Sequence, residues 1–280
     1  MFEKIAIIVP TYNRKEITCQ FIQRIKAQNY QIKIYVCDSG SSDGTVEALL
    51  NISGVEIVHA GATAWWSAAV NRGIERALSN GCDAVLIMND DIAFDDELIS
   101  KILEKHLECP SAIISPLQES PSGPFLGFRY IGRTKRMEIL KDAKSDVLVH
   151  TTNGCCLLVP TALFSTVGLI DEVNCPHQYG DTEFQLRARK YGFQTVACPS
   201  IKIVQLGATN YYSKLKLGSM LTFSGSPLHF RAYSQFGRSL FGNHIWFLLL
   251  GLKYHYLYVK TLLKALLHIA ITRARSTAST

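Results

Sequence analysis

The chain has 280 residues, enough for one large α/β domain with a good core or for two small ones. Apolar residues make up 48% and charged residues 19%, a globular composition that excludes a disordered chain. The net charge of +6 is mild and its basic residues gather late, from Lys202 to Arg275, with no zinc-finger or RNP motif beside them. That pattern favours a phosphorylated ligand or an anionic membrane surface as partner and argues against nucleic acid. The eight cysteines form no Cys-x-x-Cys, and Cys155–Cys156 lies in an apolar run. Buried or free thiols of a reducing compartment are therefore expected. Only five apolar residues separate Lys4 from Pro10, too few for a signal-peptide core, so the expected location is cytoplasmic.

In chain order, Ile5–Val9 is an apolar run ended by Pro10 and reads as a buried first strand. Asn13 is placed to cap a helix over Arg14–Ala27. Ile32–Cys37 gives a second strand, Asp38–Gly44 a loop of small polar residues, Thr45–Leu50 the start of a helix and Val55–Val58 a third strand. Trp65–Ser79 has helical spacing, with Ala69, Ile74, Ala77 and Leu78 facing inward. Ala84–Met88 is wholly apolar, as in a strand buried on both faces, and runs into Asn89, Asp90 and Asp91. Strands alternating with helices predict an α/β fold with a doubly wound, Rossmann-like, mostly parallel sheet.

Asp95–Asp96 can cap a helix to His106, Ala112–Ile114 is a short strand, and residues 116–145, rich in proline and glycine, read as loop and hairpin. Leu157–Val159 ends at Pro160, and Thr161 opens a short helix. Asp181–Tyr191 is helical and stopped by Gly192, with separate strand candidates at Thr195–Ala197 and Ile201–Val204. Residues 1–210 are thus expected to form one catalytic-sized domain, and 211–280 a C-terminal helical extension. Within the extension, Ile245–Ile271 is interrupted by Lys253, His255, Lys260, Lys264 and His268, short of the ~20 apolar residues that span a bilayer. It reads either as an amphipathic helix lying in a membrane interface or as a helix packed on its own domain or a partner subunit.

Ligands of open α/β sheets bind at the carboxyl edge, where Asp38, Asp43 and the Asp90–Asp91 pair are expected to line one crevice. Two adjacent carboxylates repel and need solvent, a base or a cation. A hard divalent cation shared with a substrate's phosphates suits them best, the simpler reading being that they solvate a loop. Asp38 can accept hydrogen bonds from a base or ribose, and the small side chains of Ser39–Ser42 let backbone approach a ligand. Asp43–Gly44 also reads as an ordinary turn. The first strand leads into Thr-Tyr-Asn-Arg and not Gly-x-Gly-x-x-Gly, which argues against a NAD site, and no P-loop lysine motif occurs.

Val9-Pro10-Thr11-Tyr12-Asn13-Arg14, Asp38–Gly44, Trp65–Gly73 and Asn89-Asp90-Asp91, in that order, resemble family 2 glycosyltransferases with the GT-A fold, over residues 4 to about 210. The double-tryptophan segment is most similar to bacterial rhamnosyltransferase-like members that build surface polysaccharides. The resemblance implies an inverting enzyme with a UDP- or dTDP-linked sugar donor, a divalent cation (Mg or Mn) and a glycan or lipid-linked glycan acceptor. It would work in the cytoplasm or peripherally on the inner face of the cytoplasmic membrane; a homo-oligomer is left open.

By the same resemblance, Pro10 and Thr11 flank the nucleotide and Asp38 reads a pyrimidine base. Asn13, Ser39, Gly40, Asp43, Trp65, Trp66, Asn71, Arg72 and Asn89 complete the nucleotide-sugar site. Asp91 is the metal ligand, with Asp90 beside the ribose or sugar. Trp65 and Trp66 either wall a sugar or anchor their helix. The family's general base lies in an acidic pair opening a late helix. Gly180-Asp181-Thr182-Glu183 matches it, with Asp181 as base, Gly180 replacing the first acid and Glu183 as substitute. The simpler reading is that Asp181 caps the helix. Where the family often has a histidine near the metal, this chain has Gln205, a poorer metal ligand, and His177 or His229 are candidate substitutes. Two rivals stand: a sugar-1-phosphate nucleotidyltransferase, which would want a glycine-rich loop with arginine and lysine after the first strand, and a catalytically silent nucleotide-sugar-binding scaffold subunit.

Overall fold

The structure is a computed structural model that describes residues 4–28, 30, 32–133, 135–207 and 230–242, and the isolated positions 259–260, 263–264 and 266–267. Its elements are β1 (Ile5–Thr11), α1 (Lys15–Ala27), β2 (Lys33–Asp38), α2 (Thr45–Leu50), β3 (Val55–His59), α3 (Trp66–Ser79), β4 (Ala84–Met88), β5 (Ile92–Phe94) and α4 (Leu98–Glu108). They continue as β6 (Ile113–Glu119), β7 (Gly127–Ile131), β8 (Arg136–Leu140), β9 (Val147–Val149), β10 (Cys156–Pro160), α5 (Ala162–Val167), α6 (Gly180–Lys190), β11 (Thr195–Gln205) and α7 (Phe230–Phe241).

The central sheet has the order β3-β2-β1-β4-β10-β6-β11-β5, with β9 beside β11, while β7 and β8 form a separate hairpin. Its first four strands are parallel to one another. Strand β10 then runs antiparallel to both β4 and β6, and β11 returns parallel to β6. The reversal at β10 is not visible in the strand–helix alternation. It carries the start of β10 to the carboxyl edge of β4, where Cys156 pairs with Met88.

Alternation along β1, β2 and β4 supplies both cores. Ile5, Ile7, Val9, Ile34, Val36, Leu86 and Met88 pack under α1 and α4 with Phe21, Ile22, Leu98 and Ile102. Ala6, Ile8, Tyr35, Cys37, Val85 and Ile87 face α3, α5 and α6 with Val70, Ile74, Leu163 and Phe184. A strand covered on both faces needs an apolar residue at every position, which is why β4 is apolar throughout. Gly73 lets α3 lie close on the sheet, since a Cβ there would come within 2.6 Å of Ile8 and 2.7 Å of Cys37.

Several boundaries differ from those read in the sequence. Strand β1 continues through Pro10 because pairing with β4 has ended at Ile8, so the missing N–H costs no ladder bond on that side. Strand β6 continues through Pro116 to Glu119, and the two late strand candidates are one strand with a bulge between Cys198 and Lys202 that accommodates Pro199. The 127–140 hairpin forms as expected. Leu78 is 40% exposed on α3 and does not face inward. Asn13 does not cap α1 with its side chain. It sits at φ 51° and accepts a hydrogen bond from Ser42 N–H.

Helix α7 packs on α6 and the hairpin, burying Phe236 and Leu240 against Leu186 and Tyr130. The expected interfacial helix at 245–271 and His229 lie outside the described residues, apart from the isolated positions above. No helix among the described residues is long and apolar enough to cross a membrane.

Candidate active site

At the carboxyl edge of the parallel strands lies a cavity of about 520 Å³. Pro10, Thr11, Tyr12 and Arg14 line it from the end of β1, Ser39 from the end of β2, and residues 62–66, Ala69 and His177 from the opposite side. This size is in the range of small-ligand sites. The Trp65 and His177 rings meet at a tilt of 58° with centroids 5.4 Å apart. His177 is therefore a cavity residue, and burial lowers its pKa. Asp38 is almost fully buried and accepts from Gly40 N–H at 2.9 Å and Ser41 N–H at 3.1 Å, so its carboxylate builds the turn that presents Ser39. Gly40 has φ 83°, and a Cβ there would lie 2.8 Å from Ala62 Cα; the two loops of the rim close on each other at this point.

Asp43 holds two helix starts at once, accepting from Lys15 N–H of α1 and Thr45 N–H of α2, each at 3.1 Å. The Thr45 hydroxyl bond and these amides lower its pKa. Asp43 is thus a structural cap as placed, and Asn13 serves the same loop through Ser41 and Ser42.

The adjacent acids after β4 separate by environment. Asp90 is 2% exposed, accepting from Thr18 Oγ1 at 2.7 Å and pairing with Arg14 Nη1 at 2.7 Å. Burial raises its pKa, while Arg14 and Thr18 oppose the rise. The Asp91 side chain is 33% exposed and pairs with Arg14 Nη2 at 3.2 Å. Asp90 therefore lies inside the scaffold, held by Thr18 and Arg14. Asp91 faces outward.

On the other side, Asp181 stands in the first turn of α6, half-buried. Its Oδ2 accepts from Gly154 N–H at 2.5 Å and its Oδ1 from Thr182 N–H at 2.7 Å. Burial raises its pKa, and these hydrogen bonds only partly offset that. Gly154 is wedged in place, for a Cβ would meet Asp181 Cβ at 2.8 Å and Trp66 Cη2 at 3.0 Å. One turn along α6, Gln185 takes Thr152 N–H at 2.9 Å and donates to Thr152 C=O at 2.8 Å, pinning the 152–154 segment to the helix. Trp66 donates to Asn89 Oδ1 at 2.9 Å, and Asn89 N–H to Cys155 C=O at 2.9 Å. A continuous wall thus joins the end of β4 to the start of α6. Asp91 and Asp181 both act on the Cys155 thiol, which burial pushes up to about 12. At Gly180, the first residue of α6, a Cβ would collide with Ser67 Oγ.

Other expected residues lie apart. Glu183 is fully buried, facing Arg187 at 2.9 Å and Ser239 Oγ of α7 at 2.9 Å. Asn71 bonds Ile170 on both its amide atoms, and Arg72 pairs with Glu75 and Glu172. Both clamp the loop before α6 and do not reach the cavity lining. Gln205 donates to Gln118 Oε1 at 3.1 Å and to Cys155 Sγ at 3.0 Å. Sequence reasoning missed Arg14, Thr18, Gly154 and Gln185 as site builders, although Arg14 stands in the first motif.

Among the described residues no group of three or more His, Cys, Asp or Glu side chains could hold a metal. One exposed carboxylate fits a cation shared with a ligand's phosphates and completed by water, and does not make an all-protein cage.

The model of the family described as Glycosyl transferase family 2 matches residues 6–168. An uncharacterized glycosyltransferase of Bacillus subtilis (strain 168), YwdF, is 29% identical over 206 residues, covering 71% of this chain and 73% of that protein. The dTDP-rhamnosyl transferase RfbF of Shigella flexneri is 24% identical over 213 residues, covering 73% and 69%. Among solved structures, GalNAc-T7 with UDP, GalNAc and Mn2+ superposes with a TM-score of 0.63 at 8% identity, over 85% of this chain. This chain spans about half, 48%, of that protein's length. The structural likeness bears on the fold, which is the GT-A type that the motifs imply.

Proposed function

The chain belongs to glycosyl transferase family 2, and from that premise we propose that this glycosyltransferase moves a sugar from a UDP- or dTDP-linked donor, with inversion, to a hydroxyl of a glycan or lipid-linked glycan. The observation that carries the reading is that an outward carboxylate, Asp91, and a second, Asp181, whose pKa burial raises, both act on the Cys155 thiol, in the wall that joins the end of β4 to the start of α6. The nucleotide would lie in the cavity along Pro10, Thr11 and Ser39, with Trp65 and Trp66 towards the sugar. The relative RfbF, a dTDP-rhamnosyl transferase, supports a dTDP-linked donor and rhamnosyl transfer; polysaccharide or O-antigen assembly at the inner face of the membrane is part of the proposal.

In the proposed step the acceptor oxygen attacks the anomeric carbon from the side opposite the diphosphate. The bond to the diphosphate oxygen breaks, and the acceptor's proton passes to the Asp181 carboxylate. A base must hold its proton loosely enough to work but tightly enough to accept it, and burial moves Asp181 in the useful direction. The Gly154 N–H fixes the carboxylate, and Gln185 fixes the segment that carries Gly154. Asp91 would hold a divalent cation, Mg or Mn, with donor phosphates and water as the remaining ligands. When bound, such a cation neutralises charge on the departing diphosphate. GalNAc-T7 was solved with UDP and Mn2+, which supports this cofactor class.

The test is a melting screen of uridine-, thymidine- and guanosine-diphosphate sugars with Mg2+ or Mn2+, followed by product analysis. A ligand at a hundred times its dissociation constant adds about 2.7 kcal/mol. A pyrimidine donor should raise the melting temperature, and the transferred sugar should have the anomeric configuration opposite to the donor's. Retention of configuration, or stabilisation by guanosine donors alone, would overturn the assignment. Binding without turnover would favour the silent scaffold subunit.

A further inference from the structure

Arg14, at the turn between β1 and α1, bridges the two acids with one guanidinium: Nη1 to Asp90 Oδ1 at 2.7 Å and Nη2 to Asp91 Oδ2 at 3.2 Å. Asp90 has further support from Thr18. Among the described residues Arg14 is the one side chain bonded to the Asp91 carboxylate. The arginine side chain is 36% exposed and lines the cavity in which the donor is placed. It therefore has a committed inner end on Asp90 and an exchangeable outer end on Asp91.

We propose that Arg14 is an exchangeable counter-ion that makes cation binding at Asp91 depend on the donor; this rests on the reading of Asp91 as the cation's protein ligand. Without donor, the guanidinium neutralises Asp91 and repels a second positive charge there. A nucleoside diphosphate entering the cavity offers the guanidinium phosphate oxygens, whose planar, paired geometry it matches. The same phosphates supply the cation with ligands that one carboxylate cannot. Donor and cation thus bind with positive coupling, which by linkage is the same whichever binds first.

The test is Mn2+ binding to the full-length protein, read from the electron-paramagnetic signal of free Mn2+, with and without UDP or dTDP. Wild type should bind Mn2+ weakly alone and more tightly with nucleotide, by a factor within the roughly 5–150-fold of ordinary coupling. Arg14→Gln should tighten Mn2+ binding without nucleotide by about tenfold and shrink the coupling, and by linkage the gain in nucleotide affinity caused by Mn2+ should shrink by the same factor as the gain in Mn2+ affinity caused by nucleotide. Arg14→Lys, which keeps a charge for buried Asp90 but cannot bridge both acids, should move the same way and guards against misfolding of the glutamine variant. Adding Asp91→Asn should abolish the gain in both. Unchanged nucleotide-free affinity in both Arg14 variants, with Mn2+ binding lost in Asp91→Asn, would overturn the counter-ion role and leave Asp91 as the cation ligand. Mn2+ binding that survives Asp91→Asn in every background would overturn both.

Discussion

Asp181 and Glu183 stand two residues apart on one helix turn, yet their neighbours give them opposite surroundings. Asp181 keeps a half-buried carboxylate on the Gly154 N–H, whereas Glu183 is sealed between Arg187 and Ser239. Arg187 also donates to the carbonyls of Val167 and Leu169, so its pair with Glu183 ties three segments together. Glu183→Gln should therefore destabilise the protein, by about 3 kcal/mol, because it leaves a largely buried guanidinium without its charge partner; urea unfolding measures this. Gly154→Ala tests the opposite side of the helix turn. Its Cβ would push on Asp181 and Trp66, so turnover, read from release of nucleoside diphosphate, should fall at least tenfold. Both acids were legible in the sequence as an acidic helix start. Their division of labour was not, because it depends on Ser239, which is 56 residues from Glu183, and on a glycine in the turn before β10. Arg14 was visible in the motif, but only the fold brings its guanidinium to both acids beyond β4.

At the scale of elements, the buried strands β1, β2 and β4 were legible because an unbroken apolar run is stable only where both faces are covered. Prolines misled where a strand's free side had no ladder bond to lose, at Pro10, or where a bulge took up the distortion, at Pro199. The short strands β5 and β9, three residues each, carry too little pattern to be read. The segment after β9 has a pH dependence of its own. His150 Nδ1 accepts the Tyr130 N–H at 2.8 Å, a bond only the unprotonated nitrogen can make. Burial, with Arg189, Lys135 and Arg129 nearby, lowers the pKa of His150 to about 4. Its folded pKa lies below the unfolded value near 6.5, so between these values the unfolded chain binds more protons. The contribution of His150 is present above that window and is lost as pH falls through it. Asp90 and Asp181 have the reverse sign, since their folded pKa values are raised and their contribution weakens as pH rises. The comparison must therefore be between proteins. The urea midpoint of wild type minus that of His150→Asn should shrink from pH 7 to pH 4.5, and a constant difference would refute the assignment.

Across the whole molecule, the site is made by topology. Parallel strands bring the ends of β1, β2 and β4 to one edge, as the alternation of strands and helices implied. The antiparallel entry of β10 then brings Gly154 and Cys155 to that edge beside Asn89, and α6 closes over them with Asp181. That second half was not legible, because no local pattern announces that a strand runs backwards between two others. The pH dependence of turnover belongs to this assembled site. Because burial raises the pKa of Asp181, the acid limb of the kcat profile should have its midpoint above the ordinary aspartate value of about 3.9.

The central claim, that Asp181 removes the acceptor's proton in a site where the donor binds independently of it, reduces to one comparison. Release of nucleoside diphosphate from the stabilising donor, in the presence of acceptor, is measured for wild type and Asp181→Asn alongside the donor-induced melting shift. The account predicts a rate lower by about 10²–10⁴-fold in the variant with the melting shift unchanged. A variant that turns over at the wild-type rate would contradict it.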